Sequence, residues 1–305
     1  MKRPLAPAVL LLVTGCLLVA GCAGRAGDGG AVRSADTPAT VVRTPPPPVN
    51  LVPDGYHGRY QVRATVLEKE GHGPQLCMAV AESYPPQCGG PKVAGWKWSA
   101  IRHESAAETQ WGAYVLVGTF DGTTFTLTEP AKLDDGTVQV MPPSTVDFTT
   151  PCPAPAGGWK PVDRAKATDD AFQQANAQAS QDPDFGGLWI DEPQAAADPT
   201  PHNDPSRFVM NVTFVKDLAR HEAELRKVWG GALCVSQARH TEAELRTVQE
   251  ELTREPGVTS SSTDVTSGSV ILGVFVALEG RQRELDAKYG VGTVRLEGAM
   301  KPLDR

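Results

Sequence analysis

The chain has 305 residues, 29 Lys and Arg against 36 Asp and Glu, with 40% apolar and 6% aromatic content. That length suits about two domains, and the composition is that of a globular chain rather than a disordered one. A net charge of −7 offers no surplus of cations for phosphates and argues against a nucleic-acid binder. The 30 Gly and 26 Pro residues imply linkers and turn-rich β structure.

Lys2 and Arg3 precede an apolar run over 8–20. A bilayer span needs about 20 residues, so the run is too short and reads as an export signal, 1–21. It ends in Val19-Ala20-Gly21-Cys22, which resembles the lipobox of bacterial lipoproteins of the actinobacterial type. The resemblance implies cleavage before Cys22 and acylation of its thiol. Two acyl chains anchor stably where one binds marginally. The expected location is the extracytoplasmic face of the cell membrane, reached through the lipid, with no later run apolar enough for a second pass.

Cys16 leaves with the signal and Cys22 takes the lipid. Cys77, Cys88, Cys152 and Cys234 remain, an even set in an oxidising compartment, which predicts two disulfides. Three pairings exist. The short spacing favours Cys77–Cys88 and leaves Cys152–Cys234. No Cys-x-x-Cys and no clustered histidines suggest a metal, and no cofactor is expected.

Residues 22–54 read as a spacer, with glycines at 24, 27, 29 and 30 and the stiff run Pro45-Pro46-Pro47-Pro48. A β domain follows over 55–148. Tyr60, Val62, Ala64 and Val66 alternate with polar residues, and so do Trp111, Ala113, Val115 and Val117. Asp121-Gly122 is a hairpin signal. Five or six short strands predict a small all-β barrel or sandwich, with an OB-like barrel among the options. Residues 149–206 read as a Pro/Ala-rich linker with one helix near 163–181, a short strand at 186–191 and a loop at 198–205.

Over 207–305 strands and helices alternate. Helices are expected at 218–229, at 241–252 behind the capping box Thr241-Glu242-Ala243-Glu244, and at 279–289. Val270–Ala277, apolar on both faces, reads as a central strand. The order predicts an α+β sandwich with helices on one face of a sheet. Residues 222–228 and 242–248 share a Glu-Ala-Glu-Leu-Arg pattern that fits any amphipathic helix.

The segment Thr241–Leu252, then Gly257-Val258 and Asp264-Val265, resembles the pro-region of streptogrisin and α-lytic-type secreted serine proteases, as does Phe185–Asp191. It spans about 80 residues. It implies small α+β units that assist or inhibit a protease, and with no protease domain following, action in trans.

Motifs for chemistry are sparse. There is no Gly-x-Ser-x-Gly, no phosphate-cradling Gly-x-x-x-x-Gly-Lys and no His-Glu-x-x-His. His221-Glu222-Ala223-Glu224 has Leu225 where a zinc helix needs its second histidine, so His221 reads as a surface residue and His240 as a solvated flank. His57, His72 and His103 read as loop residues, with His103 beside Glu104 the nearest approach to a histidine–carboxylate site. Trp96 and Trp98 are placed on one strand face, in the same domain as Trp111, and Thr259–Thr263 reads as a polar loop or strand edge. The expected role is a lipid-anchored extracytoplasmic binding protein without enzymatic activity, its partner a protein or cell-wall component. The alternatives are a trans-acting inhibitor or folding helper of an exported serine protease and, least favoured, an envelope hydrolase.

Overall fold

The computed structural model describes residues 42–142, 146–193 and 204–304; the signal and Cys22 lie outside them, as do 198–203 of the expected loop. In chain order the first strands are β1 (Leu51–Val52), β2 (Tyr60–Lys69), β3 (Gly73–Cys77), β4 (Lys92–Ala94), β5 (Glu104–Ala106), β6 (Thr109–Phe120), β7 (Thr124–Leu127) and β8 (Lys132–Leu133). Helix α1 (Asp169–Ser180) leads into β9 (Phe185–Asp191) and β10 (Val209–Phe214). Then come α2 (Leu218–Val228), β11 (Ala232–Gln237), α3 (Glu242–Leu252), β12 (Val258–Asp264) and β13 (Ser269–Val274). The chain finishes with β14 (Ala277–Leu278), α4 (Glu279–Tyr289), β15 (Val294–Gly298) and β16 (Lys301–Pro302).

Strands β2, β3, β4, β7 and β6 pair in that order, and β6 pairs back onto β2, so the sheet closes into a five-stranded barrel. Only the β4–β7 pair in the ring is parallel. The alternation predicted for β2 holds: Tyr60, Val62, Ala64 and Val66 point inward and meet Leu76, Tyr114, Leu116 and Phe125. Gly118 is required where β6 meets β7, because a Cβ there collides with the Thr126 carbonyl and the Phe125 ring. In the hairpin turn the Asp121 carboxylate accepts from the amides of Thr123 (2.8 Å) and Thr124 (2.7 Å), and Gly122 adopts a φ of 97°, as an Asp-Gly turn requires.

The α+β part departs from the single sheet expected. It contains two three-stranded sheets, β11-β10-β9 and β12-β13-β15. The segment read as a linker supplies α1 and β9, and β9 is buried because it pairs antiparallel with β10. The two sheets belong to matching units. Each runs helix, strand, antiparallel strand, helix, parallel strand: α1-β9-β10-α2-β11 and α3-β12-β13-α4-β15. The starts of the first helix and first strand are both 73 residues apart (242 − 169, 258 − 185), and the crossover helices 61 apart (279 − 218). The alike heptapeptides of α2 and α3 are therefore not counterparts, since α2 matches α4 and α3 matches α1.

Each unit has its own core. In the first, Trp229 is fully buried among Phe172 and Phe208, whose centroids lie 5.9 and 5.8 Å away. Burying such a ring contributes about 3 kcal/mol. In the second, Leu245, Leu252 and Leu285 pack on Val270, Leu272, Val294 and Leu296. The expected central strand is β13, flanked on both sides.

Barrel and α+β part are not separate bodies: the described residues all fall in one compact unit. Strand β1 pairs with β14, and Val49 bridges to Glu297. At the other end of the chain β16 pairs with β2 of the barrel. Cys77 is bonded to Cys88 (Cα–Cα 6.0 Å) and Cys152 to Cys234 (5.8 Å). Among the described residues, no helix is long and apolar enough to cross a membrane.

Candidate functional site

The histidines predicted in the β domain do not converge. His57, His72 and His103 are all exposed. His72 and His103 each place Nδ1 near a backbone carbonyl two residues back, at 3.2 Å from Glu70 and 3.0 Å from Ile101. Glu104 sits on β5 with its side chain exposed. Trp96 and Trp98 do not share a strand face. β4 stops at Ala94, Gly95 takes φ 81°, and Trp98 opens a short 3-10 turn. The rings still meet edge-on at 5.1 Å, with Tyr114 4.9 Å from Trp96 and His103 5.0 Å from Trp98. The Trp98 indole N–H donates to Glu68 (2.5 Å). Trp111 stands apart, in a small cluster with Leu67 and the Cys77–Cys88 bridge.

His221 is not a surface residue. It is 3% exposed and its ring lies flat on Phe214, 3.7 Å away with 2° between the planes. Nδ1 lies 3.5 Å from Asp182 and Nε2 3.6 Å from Asp184. Lys216 reaches Asp184 at 3.1 Å, and Arg220 reaches both carboxylates, at 3.8 and 3.5 Å. Asp182, Asp184 and His221 offer ligand atoms within 4.8 Å of one another. Lys216 and Arg220, however, already supply the charge a cation would bring. The second unit repeats this arrangement without a histidine. Glu255, the counterpart of Asp182, pairs with Arg281, the counterpart of Arg220, at 2.5 Å. Gln282 replaces His221 and ties α4 to β15 through Val294 O (2.8 Å) and Leu296 N (3.0 Å). The cluster is thus a clamp between the crossover helix and the helix-to-strand turn.

His240 is half-buried rather than solvated, with Nε2 3.0 Å from the Thr293 hydroxyl. Burial and then the Arg239 charge lower its pKa below the ordinary value, against a smaller opposing effect of Glu244.

Thr259–Thr263 forms the middle of β12, and this strand is the candidate site. β12 pairs with β13 on one side, and no strand pairs with its other edge among the described residues. Five consecutive positions are Thr or Ser, with Ser260 and Ser262 exposed. Natural edges are usually guarded by charge or proline, and this stretch has neither. The strand ends in a buried knot: Asp264 Oδ1 accepts from the amide and hydroxyl of Thr266 (3.0 and 2.7 Å), while Oδ2 accepts from the Ser267 hydroxyl (2.7 Å). Ser267 in turn contacts Ser269 (2.9 Å). With its oxygens shared among these donors, Asp264 holds the turn rather than activating a nucleophile.

The counterpart strand β9 ends in Asp191, the equivalent of Asp264. There the segment around 148–150 is tied to the strand: the Trp189 indole donates to Phe148 O (3.1 Å), and the Thr150 amide and hydroxyl donate to Asp191 (2.6 and 2.7 Å). Both β9 and β12 are outer strands of their sheets, and among the described residues no strand pairs with the free edge of either; segment 148–150 reaches β9 through the Trp189 and Asp191 side chains. The sequence signal for this was the helix-to-strand spacing repeated in both units. It is obscured because 192–208 joins β9 to β10 where only 265–268 joins β12 to β13. No known protein family matches the chain, and no curated protein matches it significantly.

Proposed function

We propose that this chain is a lipid-anchored extracytoplasmic protein that holds a protein partner by accepting an extended segment against β12. The observation that carries this reading is the β12 edge, unpaired among the described residues and formed by five consecutive Thr and Ser positions without a guarding charge or proline. Strand addition gives affinity through main-chain hydrogen bonds, and exposed hydroxyls on the strand admit a neighbour without charge repulsion. The lipobox at Cys22 and the cysteine pairs support an exported, oxidising setting. Two small α+β units support the pro-region resemblance, which makes an exported serine protease the first partner to test.

A second reading has its own observation. The barrel order β2-β3-β4-β7-β6 with its parallel β4–β7 closure fits an OB-type barrel, a fold that binds oligosaccharides as well as nucleic acids. The Trp96–Trp98–His103 cluster is a stacking surface suited to cell-wall glycans.

The test uses the immobilised unit 37–305 and its Ser260→Lys/Ser262→Lys variant, exposed to proteins secreted by the same cells. Capture of a defined protein by the unmodified unit, reduced at least tenfold in the variant, is expected. Equal capture by both removes β12 as the docking edge, and retention of wall glycans alone favours the barrel. In the full chain, Cys22→Ser is expected to move the protein from the membrane fraction to the medium.

A further inference from the structure

The geometry points to a binding site for a small carboxylate with an apolar body, in the cleft between the proline run and the barrel loop at 139–142. The cleft measures about 470 Å³, within the range of small-molecule sites. Its apolar walls are Pro46, Pro47 and Pro48 on one side and Val140, Met141 and Pro142 on the other. Among the described residues, the charged groups lining it are the two cations Arg295 and Lys301, with no Asp or Glu. That is unusual placement in a chain of net charge −7.

Arg295 is the second observation. On β15 it alternates with the core residues Val294 and Leu296 and faces the proline run, yet it is only 4% exposed. One terminal nitrogen pairs with Glu297 at 2.9 Å. Nε is buried and has no hydrogen-bond partner. A guanidinium offers five donors in a planar fork matched to carboxylate geometry, and Glu297 engages only part of it. Lys301 Nζ spends a long contact, 3.4 Å, on Gln139 O and remains free to approach an anion. A ligand carboxylate on the Arg295 fork, with its apolar body along the prolines and Met141, satisfies the orphaned donor and covers the apolar walls together. The site lies at the opposite edge of the sheet from β12, so it stands or fails separately from the docking edge.

Octanoate is the probe, with 1-octanol (apolar body, no charge) and acetate (charge, no body) as comparators, titrated calorimetrically into the unit 37–305. One saturable octanoate site is expected, with octanol and acetate at least tenfold weaker. Arg295→Met is expected to bring octanoate down to the level of octanol, and Arg295→Lys to retain part of the difference. Because Arg295→Met leaves Glu297 without its partner, Met141→Trp serves as the second variant: it fills the cleft, leaves the ion pair untouched and is expected to abolish octanoate binding. Absence of saturable octanoate binding overturns the proposal. So does equal affinity for octanol, or binding undiminished in Met141→Trp.

Discussion

At the scale of single residues, burial rather than identity decides what the histidines do. His221 and His240 both sit beside ordinary helix-flanking sequence, and neither position announces itself. His221 is enclosed because Phe214, the last residue of β10 and part of its core, presents its ring face to α2. His240 is enclosed because Thr293 and Arg239 close over it. For His240 this has a pH consequence. The folded state prefers the neutral ring, so the unfolded chain takes up a proton first as pH falls through about 6.5, and stability is lost below that value. Arg239 reinforces the preference and Glu244 opposes it. His240→Gln is expected to flatten the decline in stability between pH 6.5 and 5, measured as urea midpoints along a pH series. A parallel decline in both proteins would assign the effect to other groups.

At the scale of elements, local patterns translated well wherever the signal was short-range. The alternation of β2, the Asp121-Gly122 turn and the α3 capping box all appear as read, the last with Thr241 N–Glu244 at 2.9 Å and Glu244 N–Thr241 Oγ1 at 3.1 Å. The tryptophan pair failed because alternation was extended past Gly95, where a positive φ turns the chain out of β4. β12 was only half legible. Its hydroxyl run gives no amphipathic period, and its place in a sheet depends on β13. The turn that joins them rests on Asp264, 2% exposed. Asp264→Ala strands the donors of Thr266 and Ser267, at a cost of about 3 kcal/mol. Urea unfolding should register that loss, and a change under about 1 kcal/mol would show that the hairpin holds without the carboxylate.

At the scale of the whole molecule, the chain is bound together by non-local ties. β1 and β16, near the two ends of the described chain, each cross between the barrel and the second α+β unit. Cys152–Cys234 closes a separation of 82 residues and Cys77–Cys88 one of 11. Loop-closure entropy scales with the logarithm of that separation, about 4.5 kcal/mol for the long loop against about 3 for the short one. The double alanine variant at Cys152 and Cys234 is accordingly expected to lose more stability than the one at Cys77 and Cys88. The reverse order in equilibrium denaturation would count against an entropic account of both bridges.

The sequence by itself determined the elements whose causes are local: strand alternation, helix caps, turn chemistry, and a cysteine set whose spacing already favoured one pairing. These follow from interactions within a few residues, so they can be read along the chain. Tertiary structure alone decided that the α+β region is two matching units rather than one sheet. It also decided that the helix and strand read within the linker, α1 and β9, join the first α+β unit, that His221 is buried, and that Arg295 faces proline walls. Each of those depends on which distant segments meet, and the free energy that selects such meetings is the burial of shared apolar surface, which no single stretch of sequence contains.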